Sequence, residues 1–174
     1  MTVTLILGGA RSGKSQRAEQ LAKQSGLPVT YIATAPHIAG DDEWQGRIQE
    51  HIKRRPAAWA TVEEELELVD AIRGLDGQQQ VVFVDCLTLW LSNLLFAERD
   101  VEQEVNKLCE VLSQFQGDLI LVSNEVGLGL VPGHEIGRIF RDAQGRLNQQ
   151  VAAIADHVEF MAAGLPMVLK EAKS

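Results

Sequence analysis

Residues 5–22 read L-I-L-G-G-A-R-S-G-K-S-Q-R-A-E-Q-L-A, and no other stretch of the chain restricts the fold so strongly. An apolar run stops at Gly8 and Gly9, a turn poor in side chains follows, and a helical pattern starts at Lys14 and Ser15. Gly8, Gly9, Ala10, Arg11, Ser12, Gly13, Lys14 and Ser15 fit G-x-x-x-x-G-K-[ST] at every position. Glycines let successive backbone N–H groups turn inward around an anion without a Cβ in the way. The helix that follows offers its positive N-terminal end to the same anion. Lys14 can reach the β- and γ-phosphates of a nucleotide, and the Ser15 hydroxyl can ligate Mg2+. Lys14 is expected to pack against nothing in the protein. Residues 2–7 are apolar and β-branched, as a buried parallel strand should be, and Ala18, Leu21 and Ala22 form a helical stripe. Strand, loop and helix in register point to a nucleoside triphosphate rather than to an ordinary turn with a solvated lysine.

A chain of 174 residues can bury a substantial core, and residues 1–174 are read as a single nucleotide-binding domain. Its net charge of −8, from 16 basic and 24 acidic side chains, argues against a general nucleic-acid surface. Cys86 and Cys109 lie in apolar or helical contexts without C-x-x-C spacing, which predicts buried free thiols in a reducing compartment. The first strand begins at once, without a signal-peptide pattern. Residues 81–97 are apolar but interrupted by Asp85, Thr88, Ser92 and Asn93, so no membrane span is expected and a cytoplasmic location is.

Further elements follow from periodicity. Residues 29–33 and 81–84 read as buried strands, as do residues 119–122. Residues 41–55 read as a helix with acids at its start and bases at its end, stopped by Pro56. Residues 61–72 are expected to be a helix with Thr61 and Glu64 in a capping box. A helical stretch spans 87–115, broken near 98–100, and a glycine-rich loop spans 126–133. Apolar residues at 136, 140, 143, 147, 151 and 154 form one helical stripe. Residues 158–162 and 167–169 read as a closing hairpin turned by Gly164, Leu165 and Pro166. The expected fold class is α/β of the P-loop NTPase type (RecA-like): a mostly parallel sheet, helices on both faces, and an antiparallel edge hairpin.

Three further places carry chemistry. V-V-F-V-D delivers Asp85 from a buried strand to the sheet's carboxyl edge beside the phosphate loop, where it can hold Mg2+ directly or through water. An aspartate capping the next helix accounts for the same residue. Ser123, Asn124 and Glu125 end another apolar strand, at the edge where open α/β sheets bind ligands, or else form a plain polar exit. His51 sits between Glu50 and a run of bases at the end of a helix. Imidazole is a competent nucleophile at phosphorus, whereas basic residues at a helix C-terminus also suit a solvated face.

Five segments together resemble one family. They are G-G-A-R-S-G-K-S (8–15), Y-I-A-T-A (31–35), D-D-E-x-x-x-R-I-x-x-H with R-R-P-x-x-W (41–59), S-N-E-V-G-x-G-x-V-P (123–132) and F-R-D-x-x-G-R-x-N-Q (140–149). In this order the chain resembles the bifunctional adenosylcobinamide kinase/adenosylcobinamide-phosphate guanylyltransferases of cobalamin biosynthesis. The resemblance implies phosphorylation of adenosylcobinamide with ATP or GTP. It also implies transfer of GMP from GTP to adenosylcobinamide phosphate, through a GMP-histidine at His51. Nucleotide contacts carry over to residues 8–15, to Ala33, Thr34 and Ala35, to Ile52, Lys53, Arg54 and Arg55, and to Glu63 and Asp85. Glu63 otherwise fits the first turn of the expected 61–72 helix. Mg2+ as cofactor and a homo-oligomer, a trimer, are also implied. This chain departs from the adjacent histidine pair common in the family by carrying Glu50 before His51, which leaves one candidate nucleophile there. A plain P-loop kinase has no use for His51, and a nucleotide-dependent switch would release no pyrophosphate; both remain alternatives at this point.

Overall fold

A computed structural model describes residues 2–36, 40 and 42–171, with backbone alone at Asp42, Glu43, Arg47, Glu50, His51 and Arg54. The strands are β1 (Thr2–Gly8), β2 (Val29–Ala33), β3 (Ala60–Glu63), β4 (Val81–Asp85), β5 (Asp118–Asn124), β6 (His157–Ala162) and β7 (Leu165–Lys170). The helices are α1 (Lys14–Gln24), α2 (Asp42–Arg54), α3 (Leu68–Arg73), α4 (Leu87–Phe96), α5 (Val101–Gln114) and α6 (Glu135–Ile154). The strands form one seven-stranded sheet in the order β3-β2-β4-β5-β1-β6-β7. Every neighbouring pair is parallel except β6 with β7.

The strands at the centre are continuous apolar runs because both of their faces are covered. Leu5, Leu7, Val82, Val84, Leu119 and Leu121 face one layer, built by α3, α4, α5 and α6. Ile6, Tyr31, Phe83, Ile120 and Val122 face the other, where Ala18 and Ala22 of α1 pack. Small residues on α1 let that helix lie close to the sheet, and its first turn therefore meets the carboxyl ends of the strands.

Two expectations about elements are corrected. Residues 61–72 are not one helix: Ala60–Glu63 is an edge strand parallel to β2, and the helix starts only at Leu68. Glu64 caps nothing with Thr61; its carboxylate accepts the backbone N–H groups of Leu66 and Glu67 at 2.9 and 2.8 Å and turns the chain out of β3. Glu63 is thereby a strand-end residue, not a helix residue. The hairpin also turns earlier than expected. Ala163 (φ 52°) and Gly164 (φ 81°) are both left-handed and form the whole connection, as a two-residue hairpin turn requires. Leu165 and Pro166 already belong to β7, whose edge position tolerates proline. The 41–55 helix is observed as Asp42–Arg54, and Asp41 lies outside the described residues. Both cysteines are free thiols, but Cys109 is only half-buried.

Candidate nucleotide site

The loop after β1 is held by the β6–β7 hairpin beneath it. Gly8 has φ 150°, and a Cβ there would lie 2.6 Å from the Met161 carbonyl oxygen. Gly13 has φ 100° and forms the N-cap of α1, and its Cβ would stand 3.3 Å from Gly164 Cα. The Gly164 N–H donates to the Ser12 carbonyl at 3.0 Å, fastening turn to loop. Ser12 Oγ is buried and has no hydrogen-bond partner among the described residues. A loop of this shape can close around an anion.

Lys14 departs from the expectation that it packs against nothing. It is 7% exposed, and its ammonium donates to the Gly9 carbonyl at 2.6 Å, bridging the loop from within. Burial holds its pKa below the ordinary lysine value, opposed in part by the neighbouring Asp85 carboxylate. Ser15 follows it, half-buried, in the first turn of α1. One turn later Arg17 is fixed to the 2%-exposed Glu159 of β6 by a fork of two bonds, at 2.8 and 2.7 Å. His157 adds a third contact to that carboxylate at 3.0 Å. The Arg17 guanidinium is the main reason that the Glu159 pKa lies below the usual carboxylate range.

Asp85 ends β4, and β5 lies between β4 and β1, so the carboxylate is one strand removed from the phosphate loop. The N-cap position of α4 is taken by Cys86, so Asp85 stands one residue before the cap. The Tyr31 phenol of β2 donates to Asp85 Oδ2 at 3.0 Å. Ala33 stands opposite Asp85 on one side and opposite Glu63 on the other, which brings three candidate residues to one rung of the sheet. Thr34, fully buried, clamps the next step: its hydroxyl donates to the Cys86 carbonyl at 2.7 Å and accepts the Cys86 N–H at 2.8 Å. The Asp85–Cys86 peptide is cis. Burial pushes the Cys86 thiol up to about 12, so it is not a nucleophile at neutral pH. Ala35 is half-buried just beyond.

Asn124 and Glu125 leave β5 next to the loop, and the Glu125 N–H donates to the Gly8 carbonyl at 2.9 Å. The Glu125 carboxylate folds back onto the Gly127 N–H, which explains that side chain as a loop brace. Beneath them a buried polar cluster joins three elements. Thr88 Oγ1 accepts the Asn124 N–H at 2.7 Å, Asn148 donates to the Asn124 carbonyl at 3.0 Å, and Ser123 donates to Asn148 at 2.7 Å. Gln144 donates to both Ser123 and Asn148. Sequence reasoning missed Tyr31, Thr88, Gln144 and Asn148 as parts of this region. The last two were discoverable as polar residues four apart on the buried stripe of α6.

His51 and Arg54 lie in α2 with their side chains outside the described set. Ile52 and Lys53 are exposed, and Glu63 is exposed at the end of β3. Arg55, just past the helix, is half-buried, with its guanidinium carbon 3.8 Å from the Tyr31 ring centre.

The donor set suits Mg2+. No cluster of three or more metal-ligating side chains occurs among the described residues. One carboxylate and one hydroxyl, Asp85 and Ser15, are what a Mg2+ ion needs when phosphates and water complete its shell.

Two solved structures share the fold. The flagellar accessory protein FlaH from Methanocaldococcus jannaschii matches with a TM-score of 0.53 at 14% identity, over 98% of this chain and 79% of that one. A type III secretion ATPase of pathogenic bacteria matches with a TM-score of 0.58 at 10% identity, over 96% of this chain and 56% of that one. At such identities the likeness concerns the fold alone. Helices long and apolar enough to cross a membrane are absent among the described residues. Sequence relatives are far closer. The bifunctional adenosylcobalamin biosynthesis protein CobP of Pseudomonas aeruginosa is 51% identical over 168 residues, covering 95% of this chain and 96% of its own. The bifunctional adenosylcobalamin biosynthesis protein CobU of Escherichia coli K12 is 37% identical over 181 residues, covering 95% and 98%. The sequence profile described as cobinamide kinase / cobinamide phosphate guanyltransferase matches residues 4–169. With that match over nearly its whole length, laid on a P-loop fold with its phosphate loop intact, the chain belongs to the cobinamide kinase/cobinamide phosphate guanyltransferase family of enzymes.

Proposed function

We propose that this enzyme phosphorylates adenosylcobinamide with ATP or GTP and then transfers GMP from GTP to the product through a GMP-histidine at His51, all within one domain. In the first reaction the substrate hydroxyl oxygen bonds to the γ-phosphorus, the bond to the β-phosphate oxygen breaks, and the hydroxyl proton is released. Lys14 and the N–H groups of residues 8–15 stabilise the charge on the transferring and departing phosphates. Mg2+, held by Ser15 and Asp85, supplies charge neutralisation at the phosphate oxygens when bound. In the second reaction a neutral His51 imidazole nitrogen bonds to the α-phosphorus of GTP and pyrophosphate departs. The phosphate oxygen of adenosylcobinamide phosphate then displaces the imidazole, giving adenosylcobinamide-GDP. Lys53, Arg54 and Arg55 hold nucleotide phosphates during this exchange, and Ile52, Ala33, Thr34, Ala35 and Glu63 complete the nucleotide contacts.

The observation that carries this proposal is the buried Lys14 inside a loop whose first glycine, Gly8, admits no Cβ, at the same sheet edge as Asp85. Membership of the family supports the second reaction. Exposed apolar side chains on β7, among them Leu165 at 72% and Leu169 at 57%, support a homo-oligomer, which we take to be a trimer. Incubation with α- and γ-labelled GTP tests the mechanism. Acid-labile, base-stable α-label on His51, lost in His51→Ala while phosphorylation of adenosylcobinamide persists, is expected. Label on another residue, or γ-label on the protein, overturns the GMP-histidine.

A further inference from the structure

Tyr31 joins two parts of the molecule that the proposed reactions use separately. It sits on β2, 3% exposed, on the sheet face that α1 covers. Its ring stands edge-on to Phe83, with centres 4.9 Å apart, so the neighbouring strand fixes its position. From there its two ends work outward. The hydroxyl donates to Asp85 Oδ2 at 3.0 Å, and the ring face carries the Arg55 guanidinium at 3.8 Å. Arg55 Nε is buried without a hydrogen-bond partner among the described residues. The stacking on Tyr31 is thus the contact seen to hold that side of the guanidinium.

We infer that Tyr31 is a positioning residue shared by both reactions: its hydroxyl sets the Asp85 carboxylate, and its ring anchors Arg55 and with it the C-terminal end of α2. This rests on the roles proposed above for Asp85 and His51. The chemistry requires two separable contributions. A carboxylate with one oxygen fixed by a neutral donor has its plane defined and keeps its negative charge, which is what a metal-binding group at a phosphotransfer site needs. An arginine held over an aromatic face has a defined direction without losing its charge to a carboxylate. Arg55 stands four residues after His51, so the same ring sets where α2 ends.

Tyr31→Phe removes the hydroxyl and keeps the ring, whereas Tyr31→Leu removes both. Mn2+ binding, read by electron paramagnetic resonance in the presence of β,γ-imido-GTP, reports the Asp85 side without any turnover. Incorporation of α-label from GTP at saturating Mn2+ reports the α2 side. Tyr31→Phe is expected to weaken Mn2+ binding about tenfold, the scale of one hydrogen bond to a charged group, and to incorporate label like the parent. Tyr31→Leu is expected to show the same metal defect and to incorporate label at least about fivefold more slowly, the scale of one cation–aromatic contact. If Tyr31→Leu fails to fold on thermal melting, Tyr31→Met replaces it. Unchanged Mn2+ affinity in Tyr31→Phe, or normal labelling in the folded non-aromatic variant, overturns the inference. A parent enzyme that takes no label sinks the GMP-histidine instead, and the Mn2+ measurement then decides alone whether the phenol sets Asp85.

Discussion

The loop after β1 and the helix after β2 leave the same carboxyl edge of the sheet, and the two are attached to it very differently. The loop is gripped by backbone. Gly8 and Gly13 touch the β6–β7 hairpin so closely that a methyl group has no room or crowds its neighbour, Lys14 ties the loop to itself, and Arg17 locks α1 to β6. Among the described residues, contacts of the α2 segment are seen near its two ends, with Ile48 half-buried between them. Trp44 Nε1 donates to the Pro36 carbonyl at 2.8 Å, and Arg55 rests on Tyr31. Between them the described side chains of Gln45, Gln49, Ile52 and Lys53 are exposed. A phosphate cradle must hold its geometry before the nucleotide arrives, because preorganised donors stabilise the transition state without rearranging. A helix that must bring a nucleophile to one phosphorus and then yield to a second substrate has the opposite requirement. The difference in attachment matches the division of labour proposed for residues 8–15 and for His51.

The strongest way to break the gripped side is Gly8→Ala. The new Cβ meets a backbone carbonyl at 2.6 Å at a positive φ, and neither can yield without moving β1 or β6. We expect a loss of about 4 kcal/mol of stability, the range reserved for strain in a packed site. Chemical denaturation measures it; a variant with parental stability shows that the loop is not gripped as described. Lys14→Met comes next. Turnover of both reactions should fall by about 10²–10³-fold, as for loss of one preorganised charge donor. Stability should move the other way. Burial lowers the Lys14 pKa in the folded state, so folding is penalised wherever the unfolded lysine is charged, below about pH 10. The melting temperature without nucleotide should therefore hold or rise, while the increase caused by GTP in the parent disappears. A nucleotide-free melting temperature well below the parent would make Lys14 a structural residue.

Glu159→Gln loosens the same region at the first turn of α1, where Arg17 sits. Breaking a buried ion pair costs about 3 kcal/mol at the lower end of its range, fitting here because Arg17 keeps some solvent contact. The pH dependence identifies the cause. Glu159 has a folded pKa below its unfolded value of about 4.3, so its contribution is complete above that value. It is lost as pH falls through the lowered folded pKa. Parent and variant stabilities should differ at pH 7 and converge in acid below about pH 4. Curves that stay parallel through that range would assign the loss to packing rather than to charge.

The gripped region was also the legible one. Residues 2–15 carry their own instructions: an apolar strand buried on both faces, glycines at two of the three positions with positive φ (Gly8 and Gly13, Arg11 being the third), and a lysine at the helix start. β2, β4 and β5 were readable for the same reason, since strands covered on both faces are unbroken apolar runs. β3 was not, because only Val62 of its four residues is even half-buried, and the acids that follow mimic a helix start. Edge position, which decides that segment, is a property of the assembled sheet. Tyr31 was invisible in another way. A tyrosine in a buried strand reads as core, and its partners Arg55 and Asp85 lie 24 and 54 residues along the chain. The role given to His51 came from the resemblance of whole segments, because its local pattern of flanking charges describes a solvated helix end equally well.

The smallest perturbation addresses the loosely attached side. Gly46 lies inside α2, exposed, with nothing within 4 Å of where a Cβ would stand. Gly46→Ala therefore adds no clash and removes the backbone freedom that glycine gives the unfolded segment, a gain of up to about 1 kcal/mol for the helix. The same substitution that ruins the loop at Gly8 should be harmless to the fold here, which is the comparison at its sharpest. Global stability should change little, because no described residue of α2 belongs to the two apolar core clusters and its local gain need not pass to the sheet. Hydrogen exchange should slow for amides of residues 46–54 and stay unchanged for β1 and α1. If α2 must readjust for guanylyl transfer, α-label incorporation should change modestly while the kinase rate stays at the parental value. Slower exchange spreading into β1 and α1 would mean that α2 and the phosphate loop move as one unit, and the contrast between the two regions would be lost.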